Sequence, residues 1–457
     1  MRNATLSATL VCLSLLSGCA NLAPDYVRPE LPVPATVDRQ ATSGRTTDKI
    51  DWQHVVTDER LQKTVELSLA NNRNLRITVL NIEKARAQYQ IADAARYPAM
   101  GATATDTSTS AGGMITRKYS VGLGITSYEI DFFGRLANLK DAALQDFLAT
   151  EATQHSVRTS LIAEVTNAWL TLAANQELLK LAQDTAESRS KTLDLTQRQL
   201  ALGGTSRLSV VQAQASTEAA RGDVAKYVSQ VQQSRNALNL LAGMTVPNED
   251  LPATTGIAGD SVLALIDVPA GLSSNVLLQR PDIVSAEHSL IGSYANIGAA
   301  RAAFFPSISL TASGGTASSA LSDLFGAGTR VWSFMPVLNL PIFNAGKLNA
   351  SLSVAETSRD IQIATYDKTV QTAFREVADA LAERNTMSER MAAQKAQVDA
   401  YAVSLKLSTE RYRSGAESYL TVLDSQRSLY SAQKDLISLQ LSEQGNRMTL
   451  FKVLGGE

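Results

Sequence analysis

The residues able to do chemistry are few, and their spacing does not converge on a reaction centre. Histidine occurs three times, at His54, His155 and His288, without the short spacing that brings two imidazoles to one metal. There is no glycine-rich phosphate loop, no Gly-x-Ser-x-Gly elbow and no Cys-x-x-Cys pair, so no motif for ATP hydrolysis, acyl transfer or thiol redox chemistry. The reading implies no enzyme, no cofactor and no metal. Of the 2 cysteines, Cys12 lies inside an apolar run, Leu6 to Leu16, that follows Arg2. The run ends in Leu16-Ser17-Gly18-Cys19. A short apolar stretch closed by small residues is an export signal, too short to span a membrane as a mature helix. A net charge of −2 lacks the basic footprint of a nucleic-acid partner, and 5% aromatics is too little for a base-stacking surface.

The elements that position the remaining polar residues come in two copies. "DFFGRL" around Gly134 returns as "IFNAGKL" around Gly346, and "QRQLALGGTSRLSVVQAQ" around Gly203 returns as "ERYRSGAESYLTVLDSQ" around Gly415. Both offsets are 212 residues. "NLRI" at Asn74 and "ARYP" ending at Pro98 return as "DIVS" at Asp282 and "AFFP" ending at Pro306, both 208 residues on. One supersecondary unit has been duplicated. Each copy reads as a helix ending at proline, two strands, a very long helix, a glycine turn and a returning helix.

Arg135 to Leu202 and Lys347 to Ser414 are each 68 residues without glycine or proline, rich in residues that cost little in a helix. At about 1.5 Å per residue, each helix would reach roughly 100 Å, far beyond the 11–12 residues of an ordinary one. Leu144, Phe147, Leu148, Leu161, Val165 and Trp169 recur at three- and four-residue steps, as a coiled seam does. Glycine at each end supplies a left-handed cap, and helices return from about Ser206 to Ala242 and from Ser418 to Leu454. These are hairpins with free tips.

Val121, Leu123 and Ile125 alternate with Ser120, Gly122, Gly124 and Thr126; Ile308, Leu310 and Ala312 alternate with Ser307, Ser309, Thr311 and Ser313. Period-two alternation over about ten residues suits a strand with lipid on one face and water on the other. Weaker partners run from Met100 to Ser110 and from Val331 to Phe343. A soluble half-buried sheet would look the same locally; the long hairpins favour membrane. Four strands cannot close a barrel, and an open edge in lipid is not viable, so several copies must share one barrel.

Three long strings carry a family resemblance: "LSGC" with "PDYVRPELPVP", "RPDIVSAEHSLIGSYANIGAARAAFFPSISLTASGG" from Arg280 to Gly315, and "RYRSGAESYLTVLDSQRSLYSAQ" from Arg411 to Gln433. From Cys19 to Gly456 the chain resembles outer membrane efflux proteins of the TolC type, in their lipoprotein (NodT/OprM-like) branch. The resemblance implies a mainly α, internally duplicated homotrimer. Four strands per chain would form a twelve-stranded outer-membrane β-barrel, continued by a periplasmic α-helical barrel with an equatorial α/β belt. The implied domains are a lipoprotein signal peptide at 1–18, a tether and equatorial segment at 19–71, and a first repeat at 72–243 with β-hairpin 97–133 and helical hairpin 135–242. A linker at 244–274 precedes a second repeat at 275–457, with β-hairpin 304–343 and helical hairpin 347–454.

The same resemblance implies acylation of Cys19. The spacing of Pro24, Pro29, Pro32 and Pro34 after it blocks helix and central strand and fits an extended tether and a disordered linker equally. It implies the exit duct of a tripartite pump for drugs or other small toxic compounds, in the outer membrane and reaching into the periplasm of a Gram-negative cell. Its partners would be outer membrane lipid, a periplasmic adaptor and an inner-membrane pump of the resistance-nodulation-division type, with no nucleic acid. On the matching motif Leu420 and Asp424 would form the periplasmic gate, with Arg427 as an ion-pair partner. By spacing alone, Asp424 and Arg427 make an exposed helical pair worth a few tenths of a kcal/mol. Their first-repeat counterparts are Leu208, Gln212 and Ala215, which carry no charge. The adaptor-facing tips would centre on Gly203, Gly204, Ser206 and Leu208 and on Gly415 and Ser418. A poreless periplasmic lipoprotein scaffold and a type I protein-secretion duct remain the alternatives.

Overall fold

A computed structural model describes residues 21–37, 50–253, 262–266 and 272–456. Cys19 and the signal segment lie outside the described residues. The elements run α1 (Trp52–Val55), α2 (Glu59–Asn71), α3 (Arg73–Ala94), β1 (Met100–Ala111), β2 (Met114–Ile130), α4 (Arg135–Ala201), α5 (Arg207–Ala242), α6 (Pro281–Ala302), β3 (Ser307–Ser318), β4 (Arg330–Asn339), α7 (Lys347–Arg413) and α8 (Tyr419–Val453). Helices α4 and α7 are each 67 residues, as the two runs free of glycine and proline predict. Among the described residues no helix is long and apolar enough to cross a membrane.

The chain divides into two compact units. The first comprises the described residues up to Glu30, Leu80–Ala152 and Val284–Lys368; the second comprises Leu31–Val79, Thr153–Ile283 and Thr369–Glu457.

The first unit holds one antiparallel sheet in the order β1-β2-β3-β4. Its register aligns Ala104 with Val121, Val121 with Thr316 and Thr316 with Arg330, and likewise Ala102, Leu123, Gly314 and Trp332. Because side chains alternate along a strand, this puts Val121, Leu123, Ile125, Ile308, Leu310, Ala312, Trp332, Phe334 and Leu338 on one face. The opposite face carries Thr105, Ser120, Gly122, Gly124, Ser313, Gly315 and Ser333. Hydroxyls pair across it, Thr105 with Ser120 at 2.6 Å and Ser313 with Ser333 at 2.7 Å.

A bulge between Ile125 and Tyr128, with Ser127 at φ 50°, inserts one residue and switches the parity of β2. Tyr128 and Ile130 thereby join the apolar face opposite Leu310 and Ile308, while Glu129 turns to the polar face opposite Ser309. There it binds Arg135 through two bonds of 2.6–2.7 Å. Asp131 caps the start of α4, accepting from the backbone N–H of Arg135 at 2.7 Å and of Ala137 at 2.8 Å. Beside it Phe133 stacks on Phe305 with centroids 4.7 Å apart.

Residues 21–30 do not hang free. They run along α6 in the opposite direction: Arg301 donates to the Leu22 carbonyl, Tyr26 meets Tyr294 edge-on at 5.7 Å, and Tyr26 and Arg28 both bind Glu287 at 2.7–2.9 Å. A Cβ on Gly298 would stand 2.7 Å from that of Ala23, so the glycine admits the segment.

In the second unit, three distant stretches of chain meet. Thr36 bridges Ser273, and Val56 bridges Leu263. Buried Arg447 donates to the Leu263 carbonyl at 2.6 Å, and buried Thr159 to that of Gly456 at 2.8 Å. Trp169, fully buried, donates its indole N–H to the Asp250 carbonyl at 3.0 Å.

Candidate functional site

The two helical tips are built alike. At the first, Gly204 N–H reaches back to Gln199 O (2.7 Å) and Gly203 N–H to Leu200 O (3.0 Å); at the second, Ala416 N–H reaches Arg411 O (2.9 Å) and Gly415 N–H reaches Tyr412 O (3.0 Å). This pattern satisfies the last carbonyls of a helix and needs a left-handed residue, supplied by Gly203 at φ 75° and Gly415 at φ 76°. The starts of the returning helices differ. Ser206 caps α5 through its hydroxyl, which accepts from Ser209 N–H at 3.2 Å, whereas Ser418 occupies the same place without a side-chain cap. Glu417 substitutes for it, accepting from Ser418 N–H at 3.3 Å and the Thr421 hydroxyl at 3.1 Å and pairing with Arg411 at 3.5 Å. The hydrogen bond from Ser418 N–H is the first cause holding the Glu417 carboxyl below its ordinary range.

Just beyond the second tip, Tyr419, Val422 and Leu423 of α8 bury themselves against Ala213 of α5, with Leu193, Leu405 and Tyr412 around them. Helical spacing then turns Leu420 and Asp424 to another side, where Leu420 is 56% exposed and Asp424 is exposed one turn on. Arg427 is exposed too, and among the described residues no ion pair joins it to Asp424. In the first repeat Leu208 is 66% exposed, Gln212 is half-buried and Ala215 is exposed. Tyr412 links the two tips by donating to Gln199 at 3.0 Å.

One polar cluster escapes the sequence reading. Arg189 of α4 is 7% exposed, donates to the Ser216 carbonyl at 3.1 Å and lies 5.5 Å over the ring of Tyr430. Tyr430 donates its hydroxyl to Asp223 of α5 at 2.9 Å, and Lys434 lies 5.1 Å from the same ring. Burial is the first cause pushing Arg189 below its ordinary value and Tyr430 above its own. The available signal is spacing: buried Ala182, Arg189 and Thr196 stand seven residues apart on the coiled seam.

The three histidines stay apart from any metal-like group: among the described residues no cluster of His, Cys, Asp or Glu could hold an ion. His288 pairs with Gln145 at 2.7 Å.

Comparison with known proteins agrees with this geometry. The model of the family described as outer membrane efflux protein matches residues 64–244 and 272–456, one match for each repeat. The chain is similar to the "probable efflux pump outer membrane protein TtgC" of Pseudomonas putida, at 42% identity over 99% of this chain and 95% of the relative. It is also similar to the "cation efflux system protein CusC" of Escherichia coli, at 39% identity over 97% of this chain and 98% of the relative. The solved open-state MtrE outer membrane channel of Neisseria gonorrhoeae superposes with a TM-score of 0.87 at 39% identity, covering 96% of this chain and 98% of that one. The chain belongs to the outer membrane efflux protein family.

Proposed function

We propose that this protein is the outer membrane exit duct of a tripartite efflux system, a passive and non-enzymatic conduit for small toxic compounds. The observation that carries the reading is the sheet. On its apolar face Leu123, Trp332, Phe334 and Leu338 are exposed, Trp332 at 82%, and its edge strands β1 and β4 are exposed throughout. An unpaired edge in lipid costs several kcal/mol for each unsatisfied backbone group, so the edges must pair with other copies. Three copies give a barrel of about twelve strands, within the bacterial range. An acylated Cys19 would add a lipid anchor beside it.

In this reading the tips at Gly203, Gly204, Ser206 and Leu208 and at Gly415 and Ser418 receive a periplasmic adaptor. The adaptor joins the duct to an inner-membrane pump of the resistance-nodulation-division type. Three copies each of Leu420 and Asp424 form stacked apolar and acidic rings that close the periplasmic end. Arg427, which forms no ion pair among the described residues, would hold the closed state through a neighbouring copy. The substrate follows the pump: relatives are named for solvents, antibiotics and cations alike.

Native mass spectrometry in detergent, followed by planar-bilayer recording of the same sample, tests this. The expected result is a three-chain species whose mature chains begin at acylated Cys19 and which conducts ions. A conducting monomer, or a chain lacking residues 1–19 that stays soluble without detergent, refutes the shared barrel.

A further inference from the structure

The register of the sheet repeats one short pattern at its far end, away from the helices. On the apolar face, β2 carries Arg117, then Tyr119, then Val121; β4 carries Arg330, then Trp332, then Phe334. In both strands the arginine stands two residues beyond an aromatic; Tyr119 lies just beyond the end of the apolar band, and Trp332, level with Leu123, lies at its last rungs. The band from Ile130 to Val121 is roughly 25 Å tall, the height of a bilayer-facing belt. Both arginines are exposed, and among the described residues neither guanidinium has an ion-pair or hydrogen-bond partner. Asp106, opposite Tyr119, is the one carboxylate that the strands add to this face, so two cations outnumber it. Lys118, adjacent in sequence, turns to the opposite face by the same alternation.

We propose that Arg117 and Arg330, seated above Tyr119 and Trp332, bind the headgroup of a doubly phosphorylated glycolipid in the outer leaflet. This rests on the membrane-barrel reading and adds a lipid ligand to it. Arg330 is level with Val121 through Thr316, so Arg117 stands four residues farther along and two strands across. That separates their backbones by about 13 Å along the strands and about 10 Å across them. A single phosphate cannot satisfy both guanidinium groups over that distance. A headgroup with phosphates on the two ends of a disaccharide can, each phosphate taking paired N–H donors from one arginine. Tyr119, just beyond the band, sets the depth at the interface between acyl chains and headgroups, and Trp332 anchors the band's last rungs below it.

The protein is reconstituted in phosphatidylcholine nanodiscs and titrated with diphosphoryl lipid A, monophosphoryl lipid A and inorganic phosphate, with bound lipid counted by native mass spectrometry. Wild-type protein is expected to prefer the diphosphoryl form by about tenfold over the monophosphoryl form, the worth of one charge-assisted pair, and to retain no inorganic phosphate. Arg117→Gln and Arg330→Gln should each abolish that preference, while Lys118→Gln leaves it intact. Equal binding of the two lipid forms by wild type, or an equal loss in Lys118→Gln, overturns the proposal. Each variant is first shown to conduct in planar bilayers. Loss of conductance in wild type would count against the barrel, whereas normal conductance without lipid preference counts against the lipid site alone.

Discussion

Gly314 and Gly315 are neighbours on β3 whose replacement should have opposite consequences. A Cβ added to Gly315 would run into the Val121 carbonyl and stand 2.5 Å from the Gly122 Cα, while one added to Gly314 meets nothing within 4 Å. Real Cβ atoms do not approach backbone closer than about 3.0 Å, so in Gly315→Ala strands β2 and β3 must part by at least half an ångström. The obstacle is backbone on both sides and cannot swing away. Overpacking of this kind costs about 1–3 kcal/mol, and a ladder bond stretched in lipid finds no water to replace it. A penalty of one to two kcal/mol corresponds to roughly a 5- to 30-fold shift in the folded fraction. Gly314→Ala places a methyl on the apolar face, in open space, and should be neutral or slightly stabilising. The assay is the temperature at which the detergent-solubilised assembly dissociates on a gel, with membrane insertion as a second readout. Gly315→Ala should dissociate at a clearly lower temperature than wild type, and Gly314→Ala at the same or a higher one. If the two variants behave alike, the close approach of β2 and β3 is not what requires glycine.

At the proposed gate, Leu420→Ser combined with Asp424→Ala should raise single-channel conductance at least about twofold and weaken cation preference. Gln212→Ala, the first-repeat counterpart, should do much less; equal opening would sink the idea of a gate supplied by one repeat. At the tips, a bulky charged residue at Gly203 or Gly415, where φ is 75° and 76°, should abolish export while assembly and insertion persist. Unchanged export at both would move the docking surface elsewhere. Burial of His288 lowers its pKa below the ordinary imidazole value of 6.5, so the unfolded chain takes up the proton first. Its stability contribution is full above that value and is lost as pH falls through it toward the folded pKa. The dissociation temperature should therefore drop less between pH 8 and pH 5.5 in His288→Gln than in wild type, and identical slopes would exclude His288 as a contributor.

Much of this architecture was legible because duplication prints its punctuation twice. The glycine turns at 203 and 415 and the unbroken runs before them fix helices α4 and α7 almost to the residue. Strands β2 and β3 were clear because Val121 to Ile125 and Ile308 to Ala312 alternate strictly. Strand β1, with alanine and serine on one face and threonine on the other, gives little hydrophobic contrast and reads only as a weak partner of β2. The bulge at Ser127 interrupts the period that a pattern reading depends on; the change from odd-numbered Val121, Leu123 and Ile125 to even-numbered Tyr128 and Ile130 is its only trace. The docked segment at 21–30 was hidden for another reason. Proline spacing keeps a chain extended whether it is free or bound, and the partner that holds it, Glu287, is 261 residues from Tyr26. At the candidate site, Leu420 and Asp424 are exposed one helical turn apart, a spacing the sequence already carries. The buried cation at Arg189 runs against the expectation that a seam is apolar.

The docking of residues 21–30 also sets an order of events. Those residues precede α6 in the chain, and their resting place on it does not exist until a stretch more than half the chain away has followed. Until then the segment has no helix to dock on, while the first repeat folds without it. Contacts this far apart in sequence form late, because a long loop must close before any of them contributes. The salt link from Arg28 to Glu287 is therefore a marker of maturation: its formation reports that the first repeat is complete and the second has begun.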